Sequence, residues 1–137
     1  MKKIFYFVVL LFFASCSSPD PEHFKQYING YWEIELVILP DGTKKEYNFN
    51  QSVDYFETKD TIGIRKKVQP KLDGTFVTNQ DSETFILKVQ NDSLRMLYKN
   101  SLSTWKETVI SAKENQIIIK NEAGNMYFYK PYQKISL

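Results

Sequence analysis

Side chains that could do covalent or metal chemistry are few in this 137-residue chain, which has one cysteine, Cys16, and one histidine, His23. A hydrolytic triad needs a nucleophile, a base and an orienting acid, and a zinc site needs three or four protein ligands. One imidazole without such neighbours provides neither, and the sequence has no glycine-rich phosphate loop and no His-Glu-x-x-His run. The sequence therefore predicts a protein that is not an enzyme and that has no metal site and no cofactor.

Carboxylates offer another route to catalysis, because a glycosidase uses two carboxyl groups placed across a cleft. The acidic residues here are scattered on the polar faces of predicted strands, as Glu33 and Glu35 are, rather than paired at a strand end. A hydrolase that uses an unrecognised carboxylate pair is therefore kept only as a remote alternative.

Cys16 follows a segment that is typical of an export signal. Lys2 and Lys3 give the N-terminus a positive charge, and residues 4–14 form an unbroken apolar and aromatic run of eleven residues. That run is too short for a transmembrane helix, which needs about 20 apolar residues, and it fits the apolar region of a secretory signal peptide. The sequence therefore predicts an exported protein.

The stretch 11–18 resembles the lipobox of bacterial lipoproteins, with Phe13 at a position where Leu is usual. The resemblance implies cleavage just before Cys16 and acylation of that residue by fatty acids such as palmitate. A lone cysteine in an exported chain cannot form an internal disulfide, which agrees with a lipid anchor. Ser17, rather than Asp, follows the cysteine, and in Gram-negative bacteria this favours the outer membrane over the inner one.

These features divide the chain into three parts. We expect a lipoprotein signal peptide at 1–15, a lipidated tether at 16–20 and one folded domain at 21–137. The chain has 18 basic and 16 acidic side chains, and removal of Lys2 and Lys3 with the signal leaves 16 of each. This balance does not favour nucleic-acid binding. The first predicted partner is the membrane, which the protein contacts through its lipid anchor.

The folded part has the pattern of an all-β protein. Asp20 and Pro21 have the form of a helix start, and we expect a short helix at 21–28. Strands of alternating polarity then recur every 8–12 residues, with turn residues between them. The clearest strand places four apolar residues on one face, and these are Trp32, Ile34, Leu36 and Ile38.

Gly30-Tyr31-Trp32, just after the predicted helix, resembles the start of lipocalins and related calycin barrels, and residues 24–132 are similar to the small lipocalin-like bacterial lipoproteins. The resemblance implies a helix that closes one end of the barrel and a tryptophan that packs across it. Gly30, Trp32 and Lys130 are the residues expected to close the barrel, and Lys130 stands near the position of the lipocalin closing arginine. We therefore predict an all-β fold with a short N-terminal helix, an antiparallel lipocalin-like barrel of eight or nine strands, with a β-sandwich as the alternative.

Two functions follow from this fold prediction. The first is an envelope lipoprotein whose barrel binds a small apolar ligand, and the second is a docking lipoprotein, or an inhibitor, that binds another envelope protein. The barrel interior is either filled by side chains or hollow enough for one small ligand. If it is hollow, the residues expected to line it are Ile34, Leu36, Phe85, Leu87, Met96, Tyr98, Trp105, Tyr127 and Tyr129.

Overall fold

The structure, a computed structural model, describes residues 20–48, 50, 52–78 and 81–133. The predicted signal peptide, Cys16 and nearly all of the predicted tether lie outside the described residues. The described chain begins with α1 (Pro21–Phe24), which continues into a 3₁₀ turn (Lys25–Tyr27). The Asp20 side chain caps α1, since its Oδ1 accepts a hydrogen bond of 3.0 Å from the backbone N–H of Glu22.

Strands make up most of the remaining described chain. In order they are β1 (Gly30–Ile38), β2 (Lys44–Glu46), β3 (Val53–Lys59), β4 (Ile62–Pro70), β5 (Phe76–Thr78), β6 (Glu83–Gln90), β7 (Ser93–Lys99), β8 (Thr104–Lys113), β9 (Gln116–Asn121) and β10 (Met126–Pro131).

Eight of the ten strands in the described residues form a closed antiparallel barrel. The strands pair in the order β10-β9-β8-β7-β6-β4-β3-β1, and β1 also pairs with β10, which closes the sheet on itself. β2 pairs with β1, and β5 pairs with β4, outside this circuit. The predicted fold, an all-β antiparallel barrel behind a short helix, is thus confirmed, and the structure takes the barrel rather than the sandwich form.

The barrel is tightly paired at the end near the helix and forked at the other end. β4 pairs with β6 through residues 62–65 but with β5 through residues 68–70. β1 likewise pairs with β3 through residues 30–32 and with β2 through residues 36–38. Because each of these two strands changes its neighbour partway along, the wall separates at the end away from the helix.

The hydrophobic core fills the half of the barrel next to the helix. Trp32 is 4% exposed, and its Nε1–H donates a hydrogen bond of 2.9 Å to the carbonyl oxygen of Ile28. Trp32 therefore packs across the helix end, as the resemblance implies. The other buried members of this cluster are Phe24, Ile28, Phe56, Phe85, Leu87, Leu94, Met96, Tyr98, Val109, Ala112, Ile117, Ile119 and Tyr129.

Gly63 is a position where the core leaves no room for a side chain. It lies directly opposite Phe85 in the β4–β6 ladder, and a Cβ at Gly63 would lie 2.2 Å from Cζ of that buried ring. We expect Gly63→Ala to lower the free energy of unfolding by about 1–3 kcal/mol, because the ring must move within a packed core. Urea denaturation followed by circular dichroism measures this loss.

The matched control for Gly63→Ala is the double variant Gly63→Ala/Phe85→Leu, in which the ring is absent. This variant should lose less stability than the sum of the two single changes, since the clash is removed. Additive losses would show that Gly63 and Phe85 do not constrain each other.

Candidate ligand-binding site

A cavity of about 630 Å³ opens at the end of the barrel opposite the helix. Five apolar or aromatic residues form much of its wall, and charged residues lie at its floor and mouth. The lining residues are Ile34, Arg65, Lys67, Asp81, Ser82, Glu83, Trp105, Lys106, Glu107, Asn121, Glu122, Ala123, Tyr127 and Tyr129. The barrel is therefore filled next to the helix and hollow at its open end.

The cavity floor is a buried ion network centred on Arg65. Its Nη1 donates a hydrogen bond of 2.8 Å to Oε1 of Glu107, and its Nη2 donates one of 3.0 Å to Oδ2 of Asp54. Nη2 also lies 3.1 Å from the hydroxyl oxygen of Tyr129, and that hydroxyl donates a hydrogen bond of 3.1 Å to Asp54. One cation thus joins two carboxylates and a tyrosine on strands from opposite parts of the barrel wall.

The strand register explains how these side chains meet. Arg65 is directly opposite Phe56 on one side and Glu83 on the other, and directly paired residues project to the same face. The guanidinium lies 5.3 Å from the centre of the Phe56 ring. Arg65 therefore separates the packed core beneath it from the cavity above it.

Burial changes the acid–base properties of this floor. Burial raises the pKa of Glu107, and the nearby Arg65 guanidinium opposes this shift only in part. Burial also raises the pKa of Tyr98 and of Tyr129 well above the usual range, so both phenols are neutral donors near neutral pH.

The raised pKa of Glu107 predicts a pH dependence of stability. Because the folded protein binds this proton more tightly than the unfolded chain, the contribution of Glu107 is full below its ordinary pKa of 4.5 and is lost as the pH rises through the folded value. The stability of the wild type relative to Glu107→Gln should therefore fall as the pH rises above about 4.5. Urea denaturation between acidic and neutral pH measures this trend.

Glu114→Gln is the matched control, because it makes the same chemical change at the exposed β8–β9 turn. A wild-type curve that stays parallel to the Glu107→Gln curve would contradict the prediction.

The structure separates the predicted lining residues into two groups. Four of them line the cavity, and these are Ile34, Trp105, Tyr127 and Tyr129. Four others are buried in the core or beside the floor, and these are Phe85, Leu87, Met96 and Tyr98. Trp105 connects the two groups, since its ring stacks on Tyr98 with centroids 5.2 Å apart.

Leu36, the remaining predicted lining residue, lies on the other face of β1. The β1–β10 register shifts between Ile34 and Leu36, so that Leu36 pairs with Phe128 while Val37 pairs with the cavity residue Tyr127. A β-bulge of this kind changes which residues point inward. This corrects the regular alternation predicted for β1, because an uninterrupted period of two cannot include a bulge.

The three predicted closing residues occupy different places. Gly30 begins β1 with a φ of 132°, a conformation that L side chains rarely adopt, and Trp32 lies over the helix end. Lys130 pairs with Glu33, next to Trp32 along β1, and its Nζ is 3.6 Å from Oε1 of Glu33. Lys130 is therefore on the outward face, where it does not cover the tryptophan.

Sequence reasoning missed the floor network. The alternation of Ile62 and Ile64 with Arg65 predicts that Arg65 faces solvent, but Ile62 is 59% exposed and Arg65 points inward. The sequence pattern that indicates the site lies in β8, where Glu107 alternates with the apolar residues Trp105 and Val109 on one face. A charged residue at an inward position needs a partner, and Arg65 provides it.

Two further observations on the described residues concern metal sites and membrane-spanning helices. Within the ranges given above, no group of three or more His, Cys, Asp and Glu side chains could hold a metal ion. None of the helices in the described part of the chain is long and apolar enough to cross a membrane.

Together, these features define a closed eight-stranded barrel with one packed end and one open, partly charged cavity. The chain matches no protein-family model and no curated protein. It is similar in structure to a lipocalin-like protein from Bacteroides uniformis ATCC 8492, with a TM-score of 0.47, 9% identity, and coverage of 77% of this chain and 98% of that one.

A second similar structure is that of an uncharacterized protein from Bacteroides eggerthii DSM 20697, with a TM-score of 0.49 and 11% identity. That similarity covers 77% of this chain and 99% of the other. The evidence for a closed barrel is the strand pairing within this chain, in particular the pairing of β1 with β10.

Proposed function

We propose that this protein binds a small molecule in the open cavity of its barrel. The observation that carries this proposal is the cavity itself, whose volume of about 630 Å³ falls within the usual range of small-molecule sites. An eight-stranded barrel is just wide enough to hold one such ligand.

The lining favours an amphipathic ligand over a wholly apolar one. Ile34, Trp105 and Tyr127 provide apolar and aromatic contacts along the wall, whereas Arg65 and Glu107 place charges at the floor. A ligand with an apolar body and a polar head would contact the apolar wall with its body and the charged floor with its head. An entirely apolar ligand would leave the floor without polar contacts.

We propose binding without catalysis. The charged groups of the floor are held by one another, because Arg65 bonds both Asp54 and Glu107 and the Tyr129 hydroxyl bonds Asp54. Such mutual pairing supports a fixed binding surface rather than a group poised to transfer a proton to a substrate.

We also propose that the protein is a lipid-anchored lipoprotein of the bacterial envelope, held in the outer membrane through Cys16. The support is the sequence of residues 1–20 alone. Mass spectrometry of the protein from its native host should find an acylated N-terminal cysteine, and the variant Cys16→Ser should lack the modification. An uncleaved N-terminus in the wild type would contradict this proposal.

Native mass spectrometry tests the proposed binding function. The protein, purified gently from the envelope of its native host, should carry a stoichiometric small-molecule adduct that is lost on denaturation. Ala123→Trp, which places a large ring at the cavity mouth, should reduce the adduct. Lys113→Trp, at the end of β8 near the helix, is the matched control and should retain it.

The docking alternative rests on a different surface. Ile62 and Ile86 are directly opposite each other on the outer wall and are 59% and 50% exposed. Exposed apolar neighbours of this kind favour a protein contact. An unmodified mass together with a co-purifying envelope protein that is lost in Ile62→Lys/Ile86→Lys would favour docking over ligand binding.

A further inference from the structure

The charges around the cavity are unequal. Four lining residues are acidic, which are Asp81, Glu83, Glu107 and Glu122, and three are basic, which are Arg65, Lys67 and Lys106. Asp54, which bonds Arg65 beneath the lining, adds a further carboxylate. The cavity and its floor therefore contain five carboxylates and three cationic side chains.

Two of the basic groups already pair with carboxylates, and the third projects away from the cavity. Arg65 already bonds two carboxylates, and Nζ of Lys67 is 3.3 Å from Oδ1 of Asp54. Lys106 pairs with Leu97 in the β7–β8 ladder, one position away from the inward-facing Glu107, so it projects to the outer face. A ligand anion would therefore have to compete with carboxylates that are already in place.

Glu83 and Glu107 are the acidic groups best placed to meet a ligand. Glu83 is directly opposite Arg65 and so projects to the same inward face, where Arg65 holds Glu107 at 2.8 Å. Burial is the main cause of the raised pKa of Glu107, and the negative charges of Glu83 and Asp54 raise it further. The positive charge of Arg65 acts in the opposite direction and lowers this pKa. A positive charge between these carboxylates would relieve their repulsion.

The wall next to these carboxylates is aromatic. Trp105 precedes Glu107 by two residues on the same face of β8, and Tyr127 lines the cavity from β10. Aromatic faces attract cations as well as apolar groups, and Trp is the strongest of them. Carboxylates combined with aromatic rings suit an organic cation better than either an organic anion or a neutral hydrocarbon.

Building on the proposed binding function, we propose that the ligand is a small organic amine, with its ammonium group held by Glu83 and Glu107 and its apolar body against Trp105 and Tyr127. The cavity thus selects its ligand by positive charge as well as by shape.

Three probes that share a naphthalene ring test this selection. They are 1-(aminomethyl)naphthalene, which is cationic, 1-naphthaleneacetate, which is anionic, and 1-naphthalenemethanol, which is neutral. Calorimetric titration of the purified full chain should give about tenfold tighter binding for the amine than for the alcohol, and the weakest binding for the acid.

A variant separates charge recognition from general apolar binding. Glu83→Gln should remove most of the preference for the amine over the alcohol, because the variant lacks one of the two carboxylates proposed to hold the ammonium group. Glu57→Gln is the matched control, because the exposed Glu57 lies outside the cavity lining and its carboxylate accepts a hydrogen bond from the Tyr55 hydroxyl. It should retain the full preference.

The outcomes distinguish this inference from the function on which it rests. If the alcohol or the acid binds as tightly as the amine, the protein binds small ligands but the amine assignment is wrong. If none of the probes binds and the native protein carries no adduct, the binding function itself fails. A preference for the amine that persists in Glu83→Gln would place the cation elsewhere and overturn the assignment.

Discussion

Replacing Arg65 with methionine should lower the free energy of unfolding by about 3–5 kcal/mol. Asp54 is 3% exposed and Glu107 is 7% exposed, and both accept hydrogen bonds from the guanidinium. Methionine would leave these two buried carboxylates without their shared cation, and the cost of an unpaired buried charge exceeds the value of the original pair. Urea denaturation at neutral pH, followed by circular dichroism, measures the loss.

Two further variants identify its cause. Lys67→Met, which removes a cation that also contacts Asp54 but is 67% exposed, should cost less than about 1 kcal/mol. The triple variant Arg65→Met/Asp54→Asn/Glu107→Gln has no unpaired buried charge and should recover much of the stability. If the triple variant is no more stable than Arg65→Met, the loss comes from packing rather than from charge.

Replacing Trp32 with alanine should also lower the free energy of unfolding by about 3–5 kcal/mol. The indole fills the core at the helix end, and its N–H satisfies the carbonyl oxygen of Ile28, so the substitution leaves both a cavity and an unpaired acceptor. Thermal and urea denaturation measure the loss.

Trp105→Ala is the matched control, because it removes the other tryptophan of the chain from the half-buried cavity wall. It should cost less stability than Trp32→Ala and should weaken ligand binding more. Equal losses of stability would contradict the division between a packed end and a hollow end of the barrel.

Local features of the fold could be predicted from the sequence. The Asp20-Pro21 helix start and the Asp73-Gly74 turn between β4 and β5 each depend on neighbouring residues, and both are present in the structure. The pairing of β1 with β10 joins residues about a hundred positions apart. Only the Gly30-x-Trp32 resemblance indicates a closed barrel, because local patterns do not determine which distant strands pair.

The site is harder to predict because its central residue, Arg65, is a charged side chain on the inward face of a strand. Apolar alternation indicates which face of a strand is buried, but in β4 Ile62 is exposed while Arg65 is inside. Contacts from the neighbouring β3 and from β8 and β10 across the barrel make that burial favourable. The partners of an inward charge lie 11 and 42 residues away in sequence, so no local window contains them.

The position of Arg65 between the core and the cavity determines which residues of this protein can be substituted without loss of the fold. Residues below the guanidinium, such as Phe56, contribute to stability, whereas residues above it, such as Ile34 and Tyr127, border the cavity. Substitutions at the upper positions change the cavity lining while the lower half keeps the chain folded. A library randomised at the open end should therefore contain many folded members whose cavities differ in shape and charge.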